Sequence, residues 1–555
     1  MSIRIALDNQ PEFYTNLDNL AGRVVLHLSR PEQIGGIIVK LEGESKTALG
    51  LPQNYDDRTH PRLPPGGGPG SIASENHKIL YRVAQVFPTY EEDLGGGSSS
   101  MSGSYVIQGG QHEFPFKFKL PINNACSDPV AMSKIGGIGG MGGFGAGIGP
   151  FGLGGARVMD GSKQLFLQHV TKTLPPSFTG FPRQAEVRYY LKVTIQRPGF
   201  LKENWRYQIG FKFMPIEPPR PPKTSQEAYA RRPFTFKPRP QGLQKKKSSL
   251  FGSGKDDSAP SNGDAVPPSI ELSARLPHPS ILTCNQPLPL RLIAKKLIPS
   301  HEQVFLTSIQ IELIGKTHVR CHDLFNTEVS RWVVVTQTGL NVPLLDDPTS
   351  DDLTHESIIP DDLWRNIPLP NTVAPSFVAC NLQRHYELDI QLGLCWGKPP
   401  STRTFLGSNK ENPAAQSIFL PLHFSKVQVY SGIAPPPQLL EALAAQANRP
   451  SAATMSLPPR LPPRTSQSAP ITHTMGRGQQ QRPQAPQQPH PPAAAAPQYD
   501  PLYPPQMGTP GAAAFDDAPP SYDEALAAGA TGPEERPAYS GVTNENAPSQ
   551  IPEKS

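Results

Sequence analysis

His112-Glu-Phe-Pro-Phe-Lys-Phe-Lys-Leu-Pro121 is the stretch that decides the fold. Side chains alternate across a strand, so Phe114, Phe116 and Phe118 share one face while Lys117 and Lys119 point the other way. A phenylalanine stripe of this kind reads as core, because aromatic rings are far more often buried than used to hold a cofactor. Outward from it the same period of two recurs. Ile3, Ile5 and Leu7 alternate with Arg4, Ala6 and Asp8, and Gly22 opens Arg-Val-Val-Leu-His-Leu. Ile34 to Gly43 and Lys78 to Phe87 supply two more β-rich runs, separated by the Pro-, Gly-, Asn- and Asp-rich stretch from Leu49 to Ser74. Downstream, Ala185 to Ile195 interleaves Glu186, Arg188, Lys192 and Thr194 with Val187, Tyr189, Leu191, Val193 and Ile195. Turn residues and charges from Arg197 to Asn204 then connect it to Trp205–Met214 as an antiparallel partner.

Residues 1–215 therefore read as short strands without a convincing helix, which is a β-sandwich or barrel. A second strand-rich body follows over 270–433: Pro289 to Leu297, Gln303 to Gly315, Trp332 to Gln337, Phe377 to Leu382, Tyr386 to Trp396 and Ser417 to Tyr430. Its best-marked alternation sets Ile309, Ile311 and Leu313 on one face. Residues 216–269, rich in Pro, Ser, Lys and Asp, are expected as a linker, and the acidic Asp346–Pro370 as a surface loop. The Lys245-Lys246-Lys247 run reads as solvated charge rather than a nuclear or anionic-lipid signal. From 434 to 555 the chain turns to Pro, Ala and Gln and reads as a disordered tail, apart from the helix-prone Gln438–Ala447, which either docks on the second body or forms transiently.

Composition supports that division. The 555 residues include 67 prolines and 48 glycines, gathered in blocks, so two globular bodies fit better than the three or four domains that length alone allows. A net charge of +5 is too small to suggest a nucleic-acid surface. Cys126, Cys284, Cys321, Cys380 and Cys395 are odd in number and widely spread, without C-x-x-C, which is the usage of a reducing compartment and speaks against zinc. The first nine residues alternate apolar and polar side chains and lack a signal-peptide core. The uncharged run Ile135–Ala156, within a glycine-rich insertion at about 128–161, is too poor in side chains for a membrane span. Its G-x-G-x-x-G (Gly137, Gly139, Gly142) has neither a leading strand nor a following helix, so a dinucleotide site is not expected.

Catalytic chemistry is not legible: G-x-S-x-G, P-loop and H-E-x-x-H are all missing, and His318, Cys321, His322 and Asp323 read as a turn surface at a strand end. No catalytic, metal or cofactor residue and no small-molecule substrate is expected. The tail carries binding motifs instead. Pro519, Pro520 and Tyr522 form the Pro-Pro-x-Tyr ligand that WW domains bind: the prolines pre-form a polyproline helix for an aromatic groove and the tyrosine fills a neighbouring pocket. A chance match in proline-rich sequence is the alternative. Pro501 with Tyr503, and Pro537 with Tyr539, are degenerate relatives that add avidity if several WW domains are presented together. Pro459, Pro462 and Arg464 have the P-x-x-P-x-R form of an SH3 ligand, a pattern that proline-rich sequence also produces by accident. Downstream of the hook, Asp523 and Glu524 before Ala525-Leu526-Ala527-Ala528 have the composition of a single helical turn.

Ile3–Asp8 with Gly22-Arg-Val-Val-Leu, then Phe114–Pro121, resembles the amino-terminal domain of arrestins, and Val187-Arg-Tyr-Tyr-Leu-Lys-Val193 the strand that ends that domain's core. Leu306–Gly315 and Ile418–His423 are similar to the arrestin carboxy-terminal domain. The order of these segments, with Ala518–Ala525 behind them, most resembles the α-arrestins of fungi; the glycine-rich insertion and long linker depart from that pattern. The resemblance implies an all-β fold of two tandem immunoglobulin-type β-sandwiches with a Pro-rich tail. It also implies an adaptor, cytoplasmic and recruited peripherally to plasma membrane or endosomes. The tail would engage the WW domains of a HECT-type ubiquitin ligase, and the body a plasma-membrane transporter or receptor, which is then ubiquitylated and internalised. Lysines of the body would themselves accept ubiquitin. The alternative is a trafficking scaffold that binds SH3 or coat proteins without ubiquitin.

Overall fold

The computed structural model describes residues 1–53, 70–89, 104–126, 168–181, 184–199, 202–222, 224–238, 266–397, 415–441 and 532–533. The glycine-rich insertion, the Lys245–Lys247 run and nearly all of the tail lie outside them.

Two β-sandwiches succeed one another. In the first, β1 (Ser2–Leu7), β2 (Asn19–Leu28) and β7 (Gly110–Lys119) form an antiparallel sheet in that order, accompanied by the small pair β3 (Glu32–Ile34) and β6 (Tyr105–Ile107). Facing it are β5 (Ile72–Phe87), β4 (Gly36–Gly50), β8 (Ala185–Gln196) and β9 (Trp205–Phe211), also antiparallel. The phenylalanine stripe lies as the alternation predicts: Phe116 and Phe118 are buried in the core and Phe114 packs half-buried against it, with Leu20, Val24 and Leu26 from β2. Gly22 is required where β1 meets β2, because a methyl group there would strike the Ala6 carbonyl and the Phe116 ring.

The second sandwich pairs β10 (Glu227–Thr235), β11 (Ser269–Pro277), β13 (Arg291–Lys296) and β16 (Glu356–Ile358) in one sheet. The other runs β12 (Ile281–Thr283), β19 (Gln416–Tyr430), β18 (Leu382–Trp396), β14 (Val304–Cys321) and β15 (Leu324–Pro343), with β17 (Phe377–Val378) beside β18. Ile309, Ile311 and Leu313 are fully buried between the sheets. The two layers of strands over alternating apolar faces are the expected tandem sandwiches.

Two expectations need correction. The second body begins inside the supposed linker: β10 pairs with β11 along nine residues and sends Ala228, Ala230 and Phe234 toward the core. Its Pro233 and paired arginines disguise it, and both are tolerable because β10 is an edge strand. The acidic Asp346–Pro370 segment is not merely a surface loop. It contributes β16, a 3₁₀ turn at Asp361–Leu363 and the wholly buried Trp364, whose indole donates to the Leu290 carbonyl at 3.1 Å. At the far end, residues 437–441 form a helical turn in which Leu439 is buried. No helix among the described residues is long and apolar enough to cross a membrane.

Candidate functional site at the junction of the sandwiches

Both sandwiches belong to one compact unit, and buried polar groups are hydrogen-bonded across their contact. It is built by β4, β5 and the β14–β15 hairpin. Beyond Leu41 and Gly43 the face of β4 that lines the first core continues as Ser45 and Thr47, so the periodicity that buries leucine also aims two hydroxyls at the second sandwich. Ser45 Oγ donates to Asn381 Oδ1 at 2.6 Å, and Asn381 Nδ2 returns bonds to the Ser45 carbonyl and Thr47 Oγ1, each at 3.1 Å. Thr47 Oγ1 donates to the Arg320 carbonyl at 2.7 Å.

Arg320 and Glu75 form the charged half of the junction. The Arg320 guanidinium bonds Glu75 Oε1 at 2.9 Å and the Cys380 carbonyl at 2.7 Å, and the His322 amide donates to the other Glu75 oxygen. Burial alone would raise the Glu75 carboxyl; bonds from His77 and the His322 amide, and the Arg320 charge, outweigh it and hold the acid below its ordinary range. The hairpin turn follows from its length: Cys321 pairs with Leu324, and His322 takes φ 55°, the positive φ that two-residue hairpins need. His322 and Asp323 thus sit in the turn as expected, while Cys321 is buried in the hydrophobic cluster of the first sandwich. Phe377, Ala379, Cys380 and Leu382 join that cluster from the second sandwich, and the Phe377 ring meets Phe178 edge-on at 5.7 Å.

Four groups from separate segments converge beneath this network: His77, Cys126, His169 and Cys380, each of which brings one nitrogen or sulfur atom within 4.8 Å of the others'. The two thiols share a hydrogen bond, which together with burial pushes Cys126 up, while the same bond and His77 outweigh burial and pull Cys380 down. Local spacing in the sequence could not reveal this set, since its members stand dozens to hundreds of residues apart.

A second charged network lies on the opposite face of β4. A bulge between Gly43 and Glu44 sets Lys78 opposite Glu44, and the Lys78 ammonium bonds Glu42, Glu44 and the Tyr190 hydroxyl. Arg188 adds a second cation to Glu44 at 2.9 Å.

The residues singled out from sequence in the tail (Pro459, Pro462, Arg464, Pro501, Tyr503, Pro519, Pro520, Tyr522, Pro537 and Tyr539) lie outside the described residues. Between the hook and its downstream relative, Gly532 is placed against Asp18 of the first sandwich, where a β-carbon would collide with Asp18 Oδ1.

The fold and its continuous junction define a body of two tandem β-sandwiches. Residues 3–139 match the family model "Arrestin (or S-antigen), N-terminal domain". The chain is 28% identical over 127 residues to Arrestin-related trafficking adapter 10 of Lachancea thermotolerans, covering 22% of this chain and 28% of that protein. It is also 28% identical over 129 residues to Arrestin domain-containing protein 4 of Mus musculus, covering 23% of this chain and 26% of that one. The matched stretch thus spans about a quarter of each relative's length. Family model and relatives together show an arrestin-type amino-terminal stretch and support a likeness to the α-arrestins at low sequence identity.

Proposed function

We propose that the chain is a trafficking adaptor that carries a ubiquitin ligase to membrane cargo. The observation that carries the proposal is the Pro519-Pro520-x-Tyr522 ligand behind an arrestin-type body, together with the resemblance of that body to a trafficking adapter. The prolines and tyrosine supply a ready WW-domain ligand, and a HECT-type ligase bearing WW domains is the partner whose chemistry fits. Gly532 stands ten residues beyond Tyr522, so at roughly 3.3–3.6 Å per residue the tyrosine remains within about 35 Å of the first sandwich. A ligase held there is within reach of ubiquitin acceptors on the body or on a bound membrane protein. The body supplies binding surfaces rather than catalysis, and its place of action is the cytoplasmic face of the plasma membrane or endosomes.

The test is capture of a WW-domain ligase from lysate by the full chain and by Tyr522→Ala, with ubiquitin blotting of bait and cargo. Loss of both signals in the variant is the expected result. Unchanged capture and ubiquitylation in Tyr522→Ala, with loss instead on changing Pro462 and Arg464, would replace the ligase adaptor by an SH3-linked scaffold.

A further inference from the structure

We propose that His77, Cys126, His169 and Cys380 form a structural zinc site that fastens the second sandwich to the first. Three of the four residues come from the first sandwich: His77 lies on β5, Cys126 follows the sheet that ends with β7, and His169 precedes β8. Cys380 alone comes from the second, on the short connection between β17 and β18. Two sulfurs and two imidazoles are the Cys₂His₂ set that selects zinc, a soft-to-borderline cation without geometric preference of its own.

The geometry is close to what such an ion needs. Cys126 Sγ and Cys380 Sγ are 3.1 Å apart, and Cys380 Sγ is 3.9 Å from His169 Nδ1. A tetrahedral ion with Zn–S near 2.3 Å and Zn–N near 2.0–2.1 Å sets these separations at about 3.8 Å and about 3.6 Å. The thiols thus need to part by well under 1 Å and the imidazole to approach by a few tenths. The His77 and His169 rings meet edge-on with centroids 5.1 Å apart, which lets each turn one nitrogen toward a common point.

The surroundings support the same conclusion. His77 Nε2 is 2.5 Å from Glu75 Oε1, leaving Nδ1 buried with the Cys380 sulfur as its polar neighbour. A carboxylate behind one ring nitrogen, with the other left for an ion, is how metal-binding histidines are oriented. Glu75 is in turn fixed by Arg320 and the His322 amide, both from the second sandwich. Ligands and supporting residues are therefore contributed by both bodies, and an ion here would add a bond across the junction in the place where the polar network already concentrates. His77, Cys126 and Cys380 are buried and His169 half-buried, so the ion would be closed off from solvent as structural sites are.

The experiment measures metal in the full chain purified from zinc-supplemented cells, after dialysis against a weak chelator. One zinc per chain is expected. Cys126→Ser, Cys380→Ser and His169→Gln should each lower zinc affinity at least a hundredfold, Glu75→Gln roughly 10- to 100-fold, and Cys284→Ser not at all. Cobalt replacement provides the arm that needs no variant to fold: intense visible bands with thiolate-to-cobalt charge transfer support the site. A pale six-coordinate spectrum, a chain free of zinc, or Cys126 and Cys380 recovered as a disulfide with zinc supplied throughout would each overturn it.

Discussion

Replacing Lys78 by methionine tests how the first sandwich tolerates buried charge. Lys78, Glu42 and Glu44 side chains are each only 6% exposed, so the ammonium is the principal counter-charge to two carboxylates that water scarcely reaches. Burial alone would raise the Glu44 carboxyl; the charges of Lys78 and Arg188, with bonds from Lys78 and Tyr190, hold it down instead to about 2 from its ordinary 4.5. At about 1.4 kcal/mol per pH unit, that displacement corresponds to about 3 kcal/mol of folding free energy at neutral pH. Removing one member of a buried ion pair costs about 3–5 kcal/mol, which agrees with that figure.

The sign follows from linkage. In the natural chain the Glu44 contribution is fully present above pH 4.5 and is lost as pH falls through about 2. In Lys78→Met the carboxylates keep their burial and lose their cation, so their folded pKa values rise, and the variant's penalty is largest near neutrality and shrinks as acid neutralises them. The assay is hydrogen exchange on peptides from β4 and β5 at pH 7 and pH 4, which reports local opening without assuming that the whole chain unfolds in one step. A loss of about 3–5 kcal/mol at pH 7 that narrows at pH 4 is expected. Adding Glu42→Gln and Glu44→Gln should recover part of it. A variant within about 1 kcal/mol of the parent at pH 7, or a gap that widens in acid, would refute the reasoning.

Gly315→Ala places a β-carbon 2.5 Å from Arg384 Nη2, displacing a buried guanidinium that rests over the Trp332, Tyr386 and Phe178 rings. Overpacking of this kind costs about 1–3 kcal/mol, and an unchanged thermal midpoint would count against it. Asn381→Ala leaves Ser45 and Thr47 buried with fewer partners, at a cost of about 1–3 kcal/mol. Limited proteolysis between the sandwiches should accelerate in this variant, and resistance equal to the parent's would show that the bonds carry no interdomain stability.

The strands were legible where one face is core and the other solvent: the Phe114–Phe118 stripe and Ile309–Leu313 occupy the faces their alternation assigns. Legibility failed where burial comes from tertiary partners. β10 is apolar only at small or widely spaced positions and stands in proline-rich surroundings, so its strand character appears only when β11 pairs with it. Trp364 lies among acidic residues, a composition typical of solvent-exposed loops, whereas its indole bonds the buried Leu290 carbonyl. The junction has a further obstacle. Ser45, Thr47 and Asn381 are ordinary polar residues in sequence, and Cys126 and Cys380 are 254 positions apart. Local patterns cannot register contacts that only the finished topology brings together.

The joining of the sandwiches is better explained by anchors than by a linker. At one anchor the crossover segment is held by both bodies: the Ile216 amide donates to Asn16 Oδ1 of the first, and the Glu217 amide to the Ile433 carbonyl of the second. Ser431 Oγ also donates to the Pro215 carbonyl at 2.8 Å. The other anchor, through Ser45, Thr47, Glu75, Arg320 and Asn381, shares no residue with the first. A single set of bonds can act as a pivot, but two independent sets resist rotation as well as separation. Opening the body would therefore require breaking one of them completely. Of the two, the anchor around Glu75 is the one whose strength chemistry could change, because it combines a charged pair with the thiols and imidazoles of the proposed zinc site. A body built this way holds its two sandwiches in a fixed relation, and a metal at the thiol–imidazole cluster would act on the Glu75 anchor without touching the crossover.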